Sequence, residues 1–146
     1  MKKLPPIEKI FEAWTAIADK RVDLKENEAQ VSSSDREKRY AVKFAGNQYS
    51  SEDNATYWQG YAGYPVIAVL MLQGRLPLDE REAELWKNIN WTELNRKNRN
   101  NYAKAVKEVA DERGINLSRS YDEARKVMKS LEELPIEIKR KIKSEG

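Results

Sequence analysis

The chain has 146 residues, with 27 basic and 24 acidic side chains for a net charge of +3, and neither cysteine nor histidine. It can form no disulfide, thiol nucleophile or cysteine zinc site, and it has no histidine base or ligand, which excludes Ser–His and Cys–His catalysis within the chain. At 40% hydrophobic and 35% charged, it reads as one globular domain over residues 1–146, and +3 allows nucleic-acid contact without arguing for it.

The opening MKKLPPIEKIF lacks the apolar stretch of a signal peptide, which predicts a cytoplasmic protein. Ile7, Ile10, Phe11, Trp14, Ile17 and Ala18 recur at helical spacing. They predict an amphipathic helix from Pro6 to Asp19, with Glu8, Lys9, Glu12 and Lys20 on its wet side. The period then falls to two, at Val22 and Leu24, at Ala29 and Val31, and at Tyr40, Val42 and Phe44. The polar cluster Ser32–Glu37 and the turn Ala45-Gly46-Asn47 punctuate these runs, and a short strand over Gln48–Ser50 follows. The expectation is an antiparallel sheet of two or three strands with one buried face, which needs helices to pack on.

Ser50 or Ser51 is placed to cap a short helix over Asp53–Gln59. Gly60-Tyr61-Ala62-Gly63 is a joint, and the longest apolar run, Val66–Leu72, comes next. Pro65 suits a first helical position, Gly74 a left-handed C-terminal cap and Pro77 a stop. This predicts a central helix over residues 65–73, apolar on every side and so wrapped by other elements. It is far too short to span a bilayer, which takes about 20 apolar residues.

Asp79 reads as the cap of an acidic helix whose run Asp79–Glu84 faces solvent. Asn90-Trp91-Thr92-Glu93 and Ser120-Tyr121-Asp122-Glu123 both match a capping box. The polar NRKNRNN stretch, residues 95–101, breaks or bends the first of these helices. Another helix runs from Tyr102 to Gly114, and Leu134, Ile138 and Ile142 suggest a last one. The fold class expected is α+β: an N-terminal helix, a small antiparallel sheet, then a mostly helical C-terminal half around the central helix.

Two groups of residues stand out for function. The joint carries Tyr57, Trp58, Tyr61 and Tyr64, a potential stacking or docking surface, although aromatics beside a core helix usually pack. Arg96, Lys97, Arg99 and Lys104 are candidate phosphate contacts, and Lys139, Arg140, Lys141 and Lys143 make a second basic stretch. The order helix, strand, strand, helix, GxxG, helix over residues 5–74 resembles one variant of the KH nucleic-acid-binding fold, although Tyr61-Ala62 replaces the usual basic residue inside the loop. That resemblance implies a backbone clamp at Gly60–Gly63.

Adjacent pairs such as Glu52-Asp53 and Glu132-Glu133 do not face one another on a helix, and no phosphate-binding, Rossmann or metal motif is present. The reading is therefore a non-enzymatic protein-interaction or self-associating module with no cofactor, no metal and no membrane partner. The alternative is a nucleic-acid-binding protein using residues 95–107 and the joint 57–64. It requires the basic side chains of 95–107 to share a face uninterrupted by acids.

Overall fold

A computed structural model describes residues 2–142. Strands and helices follow the order α1 (Glu8–Ala18), β1 (Val22–Leu24), β2 (Glu28–Ser32), β3 (Arg39–Ala45), β4 (Gln48–Ser51), a one-turn π-helix (Ala55–Gln59), α2 (Tyr64–Leu72), α3 (Glu80–Leu85), α4 (Trp91–Lys97), α5 (Tyr102–Arg113), α6 (Leu117–Glu133) and β5 (Glu137–Ile138). The α+β class and the N-terminal helix are as expected.

The sheet is larger than expected. It has five strands in the order β1-β2-β3-β4-β5, rather than two or three. The first four form an antiparallel meander, with Val31 opposite Tyr40 and Phe44 opposite Tyr49. The fifth is added in parallel, Ile138 beside Tyr49, so the sheet is mixed. The last helix suggested by Leu134, Ile138 and Ile142 is therefore absent: Pro135 ends α6 and the chain extends along β4. Two residues are too few to show a strand period, and the partner lies far away in sequence. Lys143, in the basic tail, lies outside the described residues.

The central helix forms as expected. Pro65 sits in its first turn, Gly63 precedes it in extended geometry, and Gly74 takes φ +76° just beyond its end. Pro65 through Met71 are all buried. α2 lies between the sheet, where it meets β1, β3 and β4, and α1. Ala29, Val31, Val42 and Tyr49 form the sheet's inner wall. On the far side of α1, Phe11 packs edge-on against Trp14 and Trp86, at 5.1 and 4.8 Å between ring centroids.

Three local expectations change. The short helix before the joint is a π-turn held by Asp53, whose carboxylate accepts from the Thr56 amide and hydroxyl, both at 3.0 Å; Ser51 donates to Asp53 rather than capping the helix itself. α6 starts earlier than the Ser120 box, because Asn116 accepts from the Arg119 amide. Ser120 is instead fully buried; it accepts from Trp86 Nε1 at 3.2 Å and donates to Glu82 at 2.7 Å. That bond takes Glu82 out of the solvated acidic face expected for 79–84, leaving it 1% exposed. Asp79 and Asn90 do cap α3 and α4.

Candidate functional site

The four joint aromatics do not form one surface. Tyr57 and Trp58 meet edge to face at 4.7 Å, and the Arg140 guanidinium lies over both rings, at 5.6 and 5.4 Å. Trp58 is 63% exposed, the most exposed large hydrophobic side chain among the described residues. Tyr61 turns to the Lys3 ammonium, 5.7 Å from its ring. Tyr64 leaves on the other side, beside Arg21 at 5.9 Å. The sequence pointed to Arg140 only as part of a charged tail; parallel pairing of β5 carries it to the aromatic pair.

Next to Trp58 and Arg140 opens a cleft of about 540 Å³. Its lining combines Ala62, Leu131, Ile136 and Ile138 with Lys2, Lys3 and Lys139, against one acid, Glu137. Lys139 pairs with Glu137 at 3.0 Å. Lys2 reaches the Leu131 carbonyl at 2.8 Å, so it closes the C-terminal end of α6 as well as lining the cleft; burial pulls its ammonium below the usual lysine value. One wall is the free edge of the sheet. The amides of Glu137 and Lys139 bond to the carbonyls of Asn47, just before β4, and Tyr49 on β4. The N–H and C=O of Ile138, between them, consequently point away from β4.

The loop Gly60–Gly63 does not present a backbone clamp. The Gly63 amide donates to the Thr56 hydroxyl at 2.9 Å, and the buried Asp53 carboxylate stands against Gly63. A phosphate there would meet a buried negative charge and a donor already engaged. The KH resemblance does not extend to the order of the elements either: four strands, not two, follow α1, and a π-turn stands where the helix before the loop is expected.

The basic residues 96–104 are dispersed. Lys97 and Lys104 line a shallow cleft of about 470 Å³ with Lys107, but Glu108 and Asp111 line it too. Lys97 pairs with Glu108 and Lys107 with Asp111, each at 2.7 Å. The hydrogen bond that Lys97 donates to Glu108, with the charge of that carboxylate, holds the Lys97 ammonium above the usual lysine value. Arg96 lies on the side of Asp35, and Arg99 occupies the turn after α4 at φ +52°. The face uninterrupted by acids that nucleic-acid contact requires is not formed by these residues.

A second polar cluster was invisible in the sequence. Lys9 and Glu12, expected on the wet face of α1, are buried and pair at 3.3 Å. α5 covers them, placing the Tyr102 ring 4.2 Å from the Lys9 ammonium. Burial alone would lower the Lys9 pKa; the charge of Glu12, the Tyr102 phenol and the Glu12 hydrogen bond outweigh it, and the net shift is upward. Burial also drives the Tyr64 phenol far above its ordinary value. Lys9 thus stays charged and Tyr64 neutral at physiological pH, which suits fixed charge rather than proton transfer. Among the described residues no group of three or more His, Cys, Asp or Glu is placed to hold a metal ion, and no helix is long and apolar enough to cross a membrane.

No curated protein and no solved structure matches the chain. A family model described as "Uncharacterised conserved protein UCP014422" matches residues 2–137, nearly the whole chain, and the chain belongs to that family.

Proposed function

We propose that the chain is a protein-interaction module whose contact surface is the Tyr57–Trp58–Arg140 cluster with the adjoining cleft. Its occupant is an extended, acidic segment of a partner protein. The observation carrying this reading is Trp58, 63% exposed and braced between Tyr57 and Arg140, whose chain neighbours Gly60 and Lys139 line the cleft. Tryptophan, tyrosine and arginine dominate binding energy at protein interfaces, and an exposed tryptophan gains most when a partner covers it. The open edge at Ile138 offers main-chain hydrogen bonds to an added strand, and the apolar floor offers pockets for its alternate side chains. Lys3, Lys139 and Arg140 against Glu137 favour a negatively charged segment. The broken-up basic surface of α4 and α5 weighs against the nucleic-acid alternative.

Fluorescence anisotropy of a labelled Glu-Val repeat peptide, a Lys-Val repeat peptide and a single-stranded oligonucleotide tests the reading. The Glu-Val peptide binds wild type, and Trp58→Ala weakens binding about tenfold or more, as for truncation of an interfacial anchor worth about 2 kcal/mol. Binding of the oligonucleotide alone, or unchanged affinity in Trp58→Ala, rejects it.

A further inference from the structure

Three apolar residues that line the cleft are nearly shut to solvent: Ala62 is 3% exposed, Leu131 1% and Ile136 7%. An apolar side chain of a bound segment can reach them only after something moves. The segment before α1 is the wall least able to resist. Lys2 and Lys3 line the same cleft, and Leu4 packs against the core cluster that contains Ala62, Leu131 and Ile136. Among the described residues, no N–H or C=O of residues 2–5 bonds to another part of the backbone. The other walls are pinned by main-chain bonds. Glu137 and Lys139 tie β5 to the β4 side, and in the joint the Gly60 amide donates to the Thr56 carbonyl at 3.2 Å.

Side chains hold this segment in place. The Lys2 ammonium donates to the Leu131 carbonyl at 2.8 Å and to the Leu134 carbonyl, where the C-terminal end of α6 favours a cation. Lys3, an exposed residue, reaches the Gln59 side-chain oxygen only at 3.4 Å and the Tyr61 ring at 5.7 Å. Segments with few buried apolar contacts and no backbone bonds are the first to open. We propose that residues 2–4 are a displaceable strap, latched by Lys2 on the end of α6, and that the partner segment reaches the cleft's apolar floor by lifting it. The strap then competes with the partner, whose apparent affinity is scaled by the fraction of molecules with the strap lifted. The strap's part in binding rests on the Trp58 cleft being the contact surface; its movement does not.

Methyl NMR with a soluble gadolinium chelate reads the strap without any partner. The Ala62, Leu131 and Ile136 methyls should broaden little in wild type and markedly more in Lys2→Gln and Leu4→Ala. The methyls of Val66 and Leu70, both 0% exposed, should stay sheltered throughout. If Leu4→Ala fails to fold, Lys2→Gln decides, since it changes only the latch. Unchanged broadening in a folded variant means a fixed wall and overturns the proposal. The Glu-Val peptide tests the competition. Leu4→Ala keeps every charge and should bind it about threefold tighter or more, because the strap no longer has to be lifted. In wild type, saturating peptide should free the strap, and the Lys3 and Leu4 amides should lose their heteronuclear NOE. A bound peptide that leaves that NOE intact overturns the displacement. A peptide that binds none of these proteins rejects the Trp58 reading and the competition with it, while the methyls separately decide whether the strap lifts.

Discussion

Gly63 and Asp53 approach so closely that no side chain fits between them: a Cβ on Gly63 would lie 2.3 Å from Asp53 Oδ2 and 2.9 Å from Thr56 Oγ1. The Gly63 backbone is ordinary extended chain, φ −71° and ψ 175°, so the constraint is contact and not strain. Asp53 cannot easily yield, because Ser51 and Thr56 fix both of its oxygens. This contact locks the π-turn bearing Trp58 to the start of the central helix.

Gly63→Ala should accordingly destabilise the protein by about 1–3 kcal/mol, the range for overpacking a closed site. Gly60→Ala meets nothing within 4 Å and carries only the penalty of φ +75°, about 1 kcal/mol. Urea denaturation of the two variants compares them. An Asp53→Ala background should reduce the effect of Gly63→Ala, and additivity of the two changes would show that the contact is not the cause.

Leu70 is fully buried in α2, between the sheet and α1. Leu70→Ala should cost about 2–5 kcal/mol through lost burial and the cavity left behind. Lys141→Ala, at an exposed position, should stay within about 0.5 kcal/mol of wild type. Equal denaturation midpoints for Leu70→Ala and wild type would remove α2 from the centre of the core.

The Lys9–Glu12 pair is almost solvent-free, with side chains 10% and 8% exposed. Lys9→Met leaves Glu12 buried with only Asn95 for support, and should cost about 3–5 kcal/mol. The double variant Lys9→Met with Glu12→Leu removes both charges and should regain most of that loss. A thermal or chemical denaturation cycle of the four proteins measures the coupling, and a double variant no better than the single would contradict a mutually dependent pair.

Stability should fall steeply at high pH. Lys9, Tyr64 and Tyr121 all have pKa values raised in the folded state; burial is the main cause for both tyrosines, with the Glu8 carboxylate accepting from Tyr121 at 2.9 Å adding to it there. A group whose folded pKa is raised contributes its full stability below its unfolded value, about 10 for tyrosine and 10.4 for lysine, and loses it as pH climbs towards the folded value. Lys2, whose pKa burial lowers, works in the opposite sense. Tyrosinate absorbance followed beside circular dichroism checks this: Tyr64 and Tyr121 should ionise together with unfolding. Ionisation of all seven tyrosines in a still-folded protein would contradict it.

What could be read from the sequence was local. Pro65 and Gly74 bracket the central helix, and Asp79 and Asn90 cap their helices, because caps and breakers act within a turn of their own position. The hidden features depend on distant partners. Lys9 and Glu12 have the spacing of a wet face, and only the arrival of α5 buries them. Ser120 has the pattern of a cap, but Trp86 and Glu82 claim its hydroxyl. The joint aromatics are close in sequence, yet the π-turn and the left-handed Gly60 send Trp58 and Tyr64 to different sides.

The most direct test of the interaction surface is chemical-shift mapping of the wild-type protein titrated with the Glu-Val repeat peptide. The account predicts shifts of the Trp58 indole N–H and of the amides of Gly60 and Ile136 to Lys139, with none in α4 or α5. A bound peptide that leaves those signals in place, or that moves Lys97, Lys104 and Lys107 instead, would contradict the assignment of the cleft beside Trp58.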